Sequence, residues 1–160
     1  MKDDPDFLDQ VRSEVTDPRI WIDRFVVGLF ALLAGLSVVL FTLLADAAEQ
    51  AFKSMQASGR WWPLLWTPAL TALIVWATTR FAPGAGGSGP PQALAALDPR
   101  LDAPSRSALV SIRISLAKAL AVAGGLLAGL SIGRQGPSVQ IAAGVMYAAR
   151  RFLSPRSGIS

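Results

Sequence analysis

The chain has 160 residues, of which 52% are hydrophobic and 16% are charged, against about 25% charged residues in an ordinary globular protein. Its mean hydropathy is +0.43. The chain contains neither Cys nor His, which excludes disulfides, thiolate nucleophiles, the usual zinc sites and a Ser-His-Asp triad. The net charge of +4 comes from cations spread through apolar sequence, whereas nucleic-acid-binding proteins gather them on one face. The composition therefore predicts an integral membrane protein that binds no nucleic acid.

Two segments are predicted to cross the membrane. Residues 25–45 and 61–79 carry no charged side chain, and a helix needs about 20 residues to span the hydrocarbon core. The apolar stretches 119–133 and 136–149 are shorter and have almost no polar face, so we expect tilted or broken membrane helices there. Together these elements form one membrane domain over residues 18–153.

Short polar segments flank this membrane domain. Residues 1–17 repeat apolar side chains every four positions and are predicted to form a cytoplasmic amphipathic segment. Residues 154–160 form a tail. Lys and Arg are more numerous before the first span, over residues 80–118 and over residues 150–160 than in the loop predicted over residues 46–60. Because cytoplasmic loops are enriched in Lys and Arg, we expect a cytoplasmic N-terminus in a plasma membrane or a bacterial-type inner membrane.

Two glycine-proline turns carry most of the chemical information. Residues 84–91 and 133–137 each place glycines before a proline, which predicts a tight turn followed by a helix start. The N-terminus of a helix attracts anions, and does so most strongly away from water. The first turn also fits a G-x-G-x-x-G fingerprint, but it lacks the preceding strand and the following acid of a dinucleotide site. A plain flexible linker over residues 84–89 is an open alternative.

The same two turns resemble the signatures of a known family. The segment Gly87-Ser88-Gly89-Pro90-Pro91 is similar to the GSGIP signature of the CLC chloride channels and chloride/proton antiporters. The segment Gly133-Arg134-Gln135-Gly136-Pro137 is similar to their GREGP signature. The resemblance implies an all-α integral membrane protein, the N-terminal part of an inverted-repeat transporter with broken helices. It implies permeation of chloride or a similar small anion, with no enzymatic activity, no cofactor and no bound metal.

The resemblance also assigns roles to individual residues. The anion-binding residues that it implies are Gly87, Ser88, Gly89, Arg134, Gln135 and Gly136. Ser88 would contribute its hydroxyl, and the other positions would contribute backbone groups. The gating glutamate of the family corresponds to Gln135, which has no titratable proton, so we expect anion movement without proton coupling. Helix capping by Ser88 or Gln135 is the structural alternative for these two side chains.

The sequence departs from the family pattern at two further places. Pro90 stands where the family has an apolar residue with an N–H, so one donor near the inner site is missing. Family members continue well beyond the second turn, and we expect this chain to be truncated, with a homodimer as the full-length form. The expected partners are chloride or a similar anion and the lipid bilayer. The alternative function is a non-conducting membrane fragment or assembly subunit whose turns are structural only.

Overall fold

The computed structural model describes residues 18–59, 61–98 and 100–153. This part of the chain is helical and contains no strand. Its helices are α1 (Pro18–Ser58), α2 (Trp62–Phe81), α3 (Pro90–Ala95), α4 (Ala103–Leu109), α5 (Ile112–Leu127) and α6 (Gln135–Ala149), with a 3-10 turn at Pro83–Ala85. The amphipathic segment predicted for residues 1–17 and the tail predicted for residues 154–160 lie outside the described residues.

Helix α1 is much longer than the span predicted for it. It has 41 residues, so the expectation of a loop over residues 46–60 is wrong for residues 46–58. That stretch contains no Gly or Pro and is rich in Ala, Gln, Glu, Lys and Met, all residues of high helix propensity. Charged side chains end the apolar stretch at Asp46, but they do not end the helix.

Within the part of the chain that the structure describes, two segments are long and apolar enough to cross a membrane, Ile20–Ala57 and Ala103–Leu127. The first contains the predicted span 25–45, and most of its large apolar side chains face outward, with Phe25 71% exposed. Helix α2 forms where the second span was predicted, and it carries no charged side chain before Arg80. The second candidate span, Ala103–Leu127, is interrupted between α4 and α5 and was not predicted as a span from the sequence.

Helices α1, α5 and α6 pack around a small apolar core. Phe41 of α1 lies among Val122 and Leu126 of α5 and Ile141 of α6, and all four side chains are buried. Helix α5 begins at Ile112, seven residues before the apolar stretch predicted to start at 119. This earlier start brings Lys118 onto the helix and into the protein interior.

Helix α2 is fixed to the C-terminal end of α5 by two side-chain hydrogen bonds. The indole of Trp66 donates to the Leu127 carbonyl at 2.9 Å, and the hydroxyl of Thr67 donates to the Ala128 carbonyl at 2.7 Å. The last carbonyls of a helix have no partner within it. The bonds from α2 therefore satisfy polar groups that would otherwise face an apolar environment.

The two glycine-proline turns meet backbone to backbone, so that α3 and α6 begin side by side. A Cβ at Gly89 would collide with the Gly136 carbonyl, and a Cβ at Gly136 would collide with the Ser88 carbonyl. Gly89 also has a φ of 109°, and Gly87 has a φ of 81°, a region that residues with a side chain rarely adopt. The turns are therefore built for close approach, which argues against the plain flexible linker.

This contact predicts that Gly136→Ala destabilises the fold while Gly133→Ala does not. The methyl group at 136 would displace the Ser88 carbonyl, whereas a methyl group at 133 would meet no atom within 4 Å. We expect Gly136→Ala to lower the free energy of unfolding by about 1–3 kcal/mol and Gly133→Ala to change it by less than about 0.5 kcal/mol. Urea unfolding in mild detergent measures both. Equal stability of the two variants would contradict the contact.

Candidate functional site

Lys118 holds the first turn from inside the protein. The residue is only 4% exposed, and its ammonium donates hydrogen bonds to the carbonyls of Ala85, at 2.8 Å, and Gly87. Within the described residues no carboxylate forms an ion pair with it. A buried charge is costly unless polar groups compensate it. The turn therefore contains a positive charge whose partners here are neutral carbonyl groups.

Gln92 forms two further hydrogen bonds with the backbone of the first turn. Its Nε2 donates to the Gly86 carbonyl at 2.9 Å, and its Oε1 accepts from the Gly89 N–H at 2.9 Å. The Gly89 N–H therefore already has an intramolecular partner, and the two prolines that follow it have no N–H. The start of α3 thus has few donors to offer an anion.

The free donors of the first turn lie in the loop that precedes α3. The N–H groups of Gly87 and Ser88 and the Ser88 hydroxyl make no hydrogen bond within the described residues. The N-cap of α3 is Gly89, so Ser88 does not act as the helix cap that was its structural alternative. Three donors of the loop are therefore available to a ligand.

Arg134 is turned away from the first turn and toward α1. Its guanidinium forms ion pairs with Asp46 and Glu49, and Glu49 also pairs with Lys53 at 2.7 Å. The hydrogen bond with Asp46 raises the pKa of the Arg134 guanidinium above its ordinary value, while burial opposes this rise. The charge of Arg134 is therefore permanent but balanced by carboxylates, and it anchors the second turn to α1.

Gln135 and Gly136 form the first turn of α6 and supply its unpaired donors. Their N–H groups make no hydrogen bond within the described residues, and neither does the Gln135 side chain. No side chain caps this helix, so the capping role considered for Gln135 is not observed. An uncapped helix of 15 residues presents partial positive charge at this end.

One cavity of about 640 Å³ lies between the two turns. The first turn contributes Gly87, Ser88 and Pro90, and the second contributes Gln135 and Gly136. Two of the six predicted anion-binding residues, Gly89 and Arg134, are not among the lining residues. The remaining walls consist of Ala85, Gly86, Lys118, Ala121, Val122, Ile132, Gly133 and Pro137. No Asp or Glu lines the cavity, and its lining residues include Lys118 and the residues that carry the unpaired donors of both turns.

Sequence reasoning missed three residues that build this site. Gln92 lies three positions after the N-cap Gly89, where the side chain of a capping box reaches back to the N-cap N–H, so its position was a usable signal. Asp46 and Glu49 are three residues apart and share one helix face, but the predicted loop over residues 46–60 hid this relation. Their pairing with Arg134 spans more than 80 residues and has no local signature.

Comparison with known proteins identifies the same family that the two turns resemble. Residues 70–158, more than half of the chain, match the family described as voltage gated chloride channel, and this match includes both turns and the cavity between them. No curated protein matches the chain, and no solved structure matches it. Members of this family are membrane channels or transporters, not enzymes. The chain belongs to the CLC family of voltage gated chloride channels.

Proposed function

We propose that the chain lets chloride or a similar small anion cross a membrane through the cavity between the two turns, without coupling to protons. The observation that carries this proposal is the composition of the cavity lining. Unpaired donors of Gly87, Ser88, Gln135 and Gly136 line one cavity with the Lys118 side chain, and no carboxylate lines it. Such a lining attracts anions and offers a cation no acidic side chain.

The lining would also bind an anion weakly enough to let it leave again, as permeation requires. An anion that enters the cavity loses water, and N–H and O–H groups can replace the lost hydrogen bonds. Lys118 adds a favourable Coulomb interaction, but its ammonium already donates to two carbonyls. The anion would therefore meet a shared positive charge, which favours entry without holding the ion tightly.

The lining supports the absence of proton coupling. Among the residues that line the cavity, Lys118 is the one with a titratable side chain. Gln135, which the resemblance matches to the family's gating glutamate, lines the cavity as a neutral amide. A neutral amide neither gains nor loses a proton near neutral pH, and it does not compete with an anion as a carboxylate does. We therefore assign Gln135 the role of a permanently neutral gate.

A second candidate function is a non-conducting membrane subunit. The backbone contact between Gly89 and Gly136 favours it, because a close contact between two turns holds helices together without any ligand. The two functions differ in one measurable property. The conducting form passes chloride through liposomes, and the structural form does not.

Chloride efflux from liposomes that contain the purified chain tests the proposal directly. We expect Ser88→Ala to slow efflux at least about tenfold, because a hydrogen bond to a charged group contributes about 1.5–3 kcal/mol. The matched control is Ser131→Ala, an exposed serine outside this cavity, which should leave efflux unchanged. Absence of efflux in the unmodified chain, or equal effects of both variants, would favour the structural subunit.

Replacing Gln135 with Glu is expected to make efflux depend on pH. Above the ordinary glutamate pKa of about 4.3, the new carboxylate is itself an anion in the cavity and should suppress efflux. Protonation removes that charge, so efflux should rise as the pH falls through the pKa. Gln56→Glu, an exposed position on α1, serves as the control for added charge. A flat profile for Gln135→Glu between about pH 4 and about pH 8 would refute the gate assignment.

A further inference from the structure

Four consecutive carbonyls of the first turn, those of residues 84–87, each accept a hydrogen bond from a side chain. Gln140 donates to the first at 2.9 Å, and Lys118 donates to the second at 2.8 Å. Gln92 donates to the third at 2.9 Å, and Lys118 donates again to the fourth. These donors come from α6, α5 and α3 and converge on one short glycine-rich segment.

The bonds to these carbonyls also determine where the free N–H groups point. In a planar trans peptide unit the C=O and the N–H point in opposite directions. The Gly86 carbonyl shares its peptide unit with the Gly87 N–H, so the bond from Gln92 directs that N–H away from Gln92. In the same way, the bond from Lys118 to the Gly87 carbonyl directs the Ser88 N–H away from Lys118. The two unpaired N–H groups of the turn are thus oriented by its bound carbonyls.

This constraint matters most for the peptide units that carry the Gly86 and Gly87 carbonyls, because backbone hydrogen bonds already hold the two peptide units before them. Gly84, Gly86 and Gly87 carry no Cβ, and glycine adopts positive and negative φ about equally readily. A peptide unit that rotates would turn its oxygen, the negative end of its dipole, toward the cavity. Carbonyl oxygens are the groups that coordinate cations in selective pores.

The side-chain amide of Gln140 is used as a hydrogen-bond donor and not as an acceptor. It is completely buried, and its Nε2 donates to the carbonyls of Gly84, at 2.9 Å, and Leu109, at 3.0 Å. Its Oε1 has no hydrogen-bond partner among the described residues. A buried acceptor without a partner is unfavourable, so the amide stays in place at a cost that its two donated bonds offset.

We propose that Gln92 and Gln140 are positioning residues that make the first turn selective for anions, because they hold its carbonyl oxygens away from the permeating ion. This inference rests on the proposed function. The two glutamines need not touch the anion themselves. Gln92 has the larger effect, since it orients the peptide unit of Gly87, which lines the cavity, whereas Gly84 does not line it.

The test compares bromide and rubidium fluxes into liposomes that contain the purified chain or its variants. Gln92→Met removes the donor to the Gly86 carbonyl and the acceptor of the Gly89 N–H without changing charge or much volume. Gln56→Met makes the same change of side chain at an exposed position of α1. We expect the bromide-to-rubidium ratio to fall about tenfold in Gln92→Met, to fall less in Gln140→Met, and to be unchanged in Gln56→Met. A loss of structure alone would lower or raise both fluxes together.

The outcomes separate this inference from the proposed function. If the unmodified chain passes bromide and both Gln92→Met and Gln140→Met keep its ratio, the positioning role is overturned and the proposed function stands. A ratio that falls equally in Gln56→Met also overturns the positioning role. If the unmodified chain passes no bromide, the proposed function and this inference fail together. Circular dichroism of each variant shows whether it has folded. If one of the two variants Gln92→Met and Gln140→Met does not fold, the flux ratio of the other one tests the positioning role.

Discussion

The structure depends on one close contact, in which the backbones of two turns touch at Gly89 and Gly136. Neither position has room for a Cβ, and a side chain at either position would push the two turns apart. This contact places the loop before α3 against the start of α6, and thereby creates the cavity between them. The hydrogen bonds from Lys118 and Gln92 and the ion pairs of Arg134 then fix each turn in the orientation that the contact allows. The site is therefore a consequence of backbone proximity, and its side chains maintain that proximity.

Two cations and one amide support the turns, and each has a different electrostatic effect on the cavity. Arg134 is balanced by Asp46 and Glu49, so it anchors α6 to α1 and leaves little net charge near the second turn. Lys118 is buried and donates to carbonyl groups, and it is the one basic side chain among the residues that line the cavity. Gln92 contributes no charge, but it binds the carbonyl of the peptide unit between Gly86 and Gly87 and leaves the N–H of that unit free. An anion would be drawn by one shared ammonium and bound by neutral donors, a combination suited to transient occupancy.

Much of this arrangement could be predicted from the sequence, and the rest depends on contacts between distant residues. Glycine followed by proline predicted both turns, and uncharged stretches predicted apolar helices, because these signals are local. The extension of α1 to Ser58 has no signal in the hydropathy, because charged residues end the apolar stretch at Asp46 while Glu49 and Lys53 continue the helix. The roles of Lys118 and Arg134 follow from partners 31 and 88 residues away, for which hydrophobic periodicity and spacing hold no information.

Anomalous X-ray diffraction from crystals of the chain grown in bromide tests the central claim most directly, because it locates the anion without relying on flux. The account predicts an anomalous peak inside the cavity, within hydrogen-bond distance of the Ser88 hydroxyl and of the N–H groups that begin α6. A cavity without a peak, with bromide found only beside exposed arginines such as Arg113 and Arg151, would contradict it.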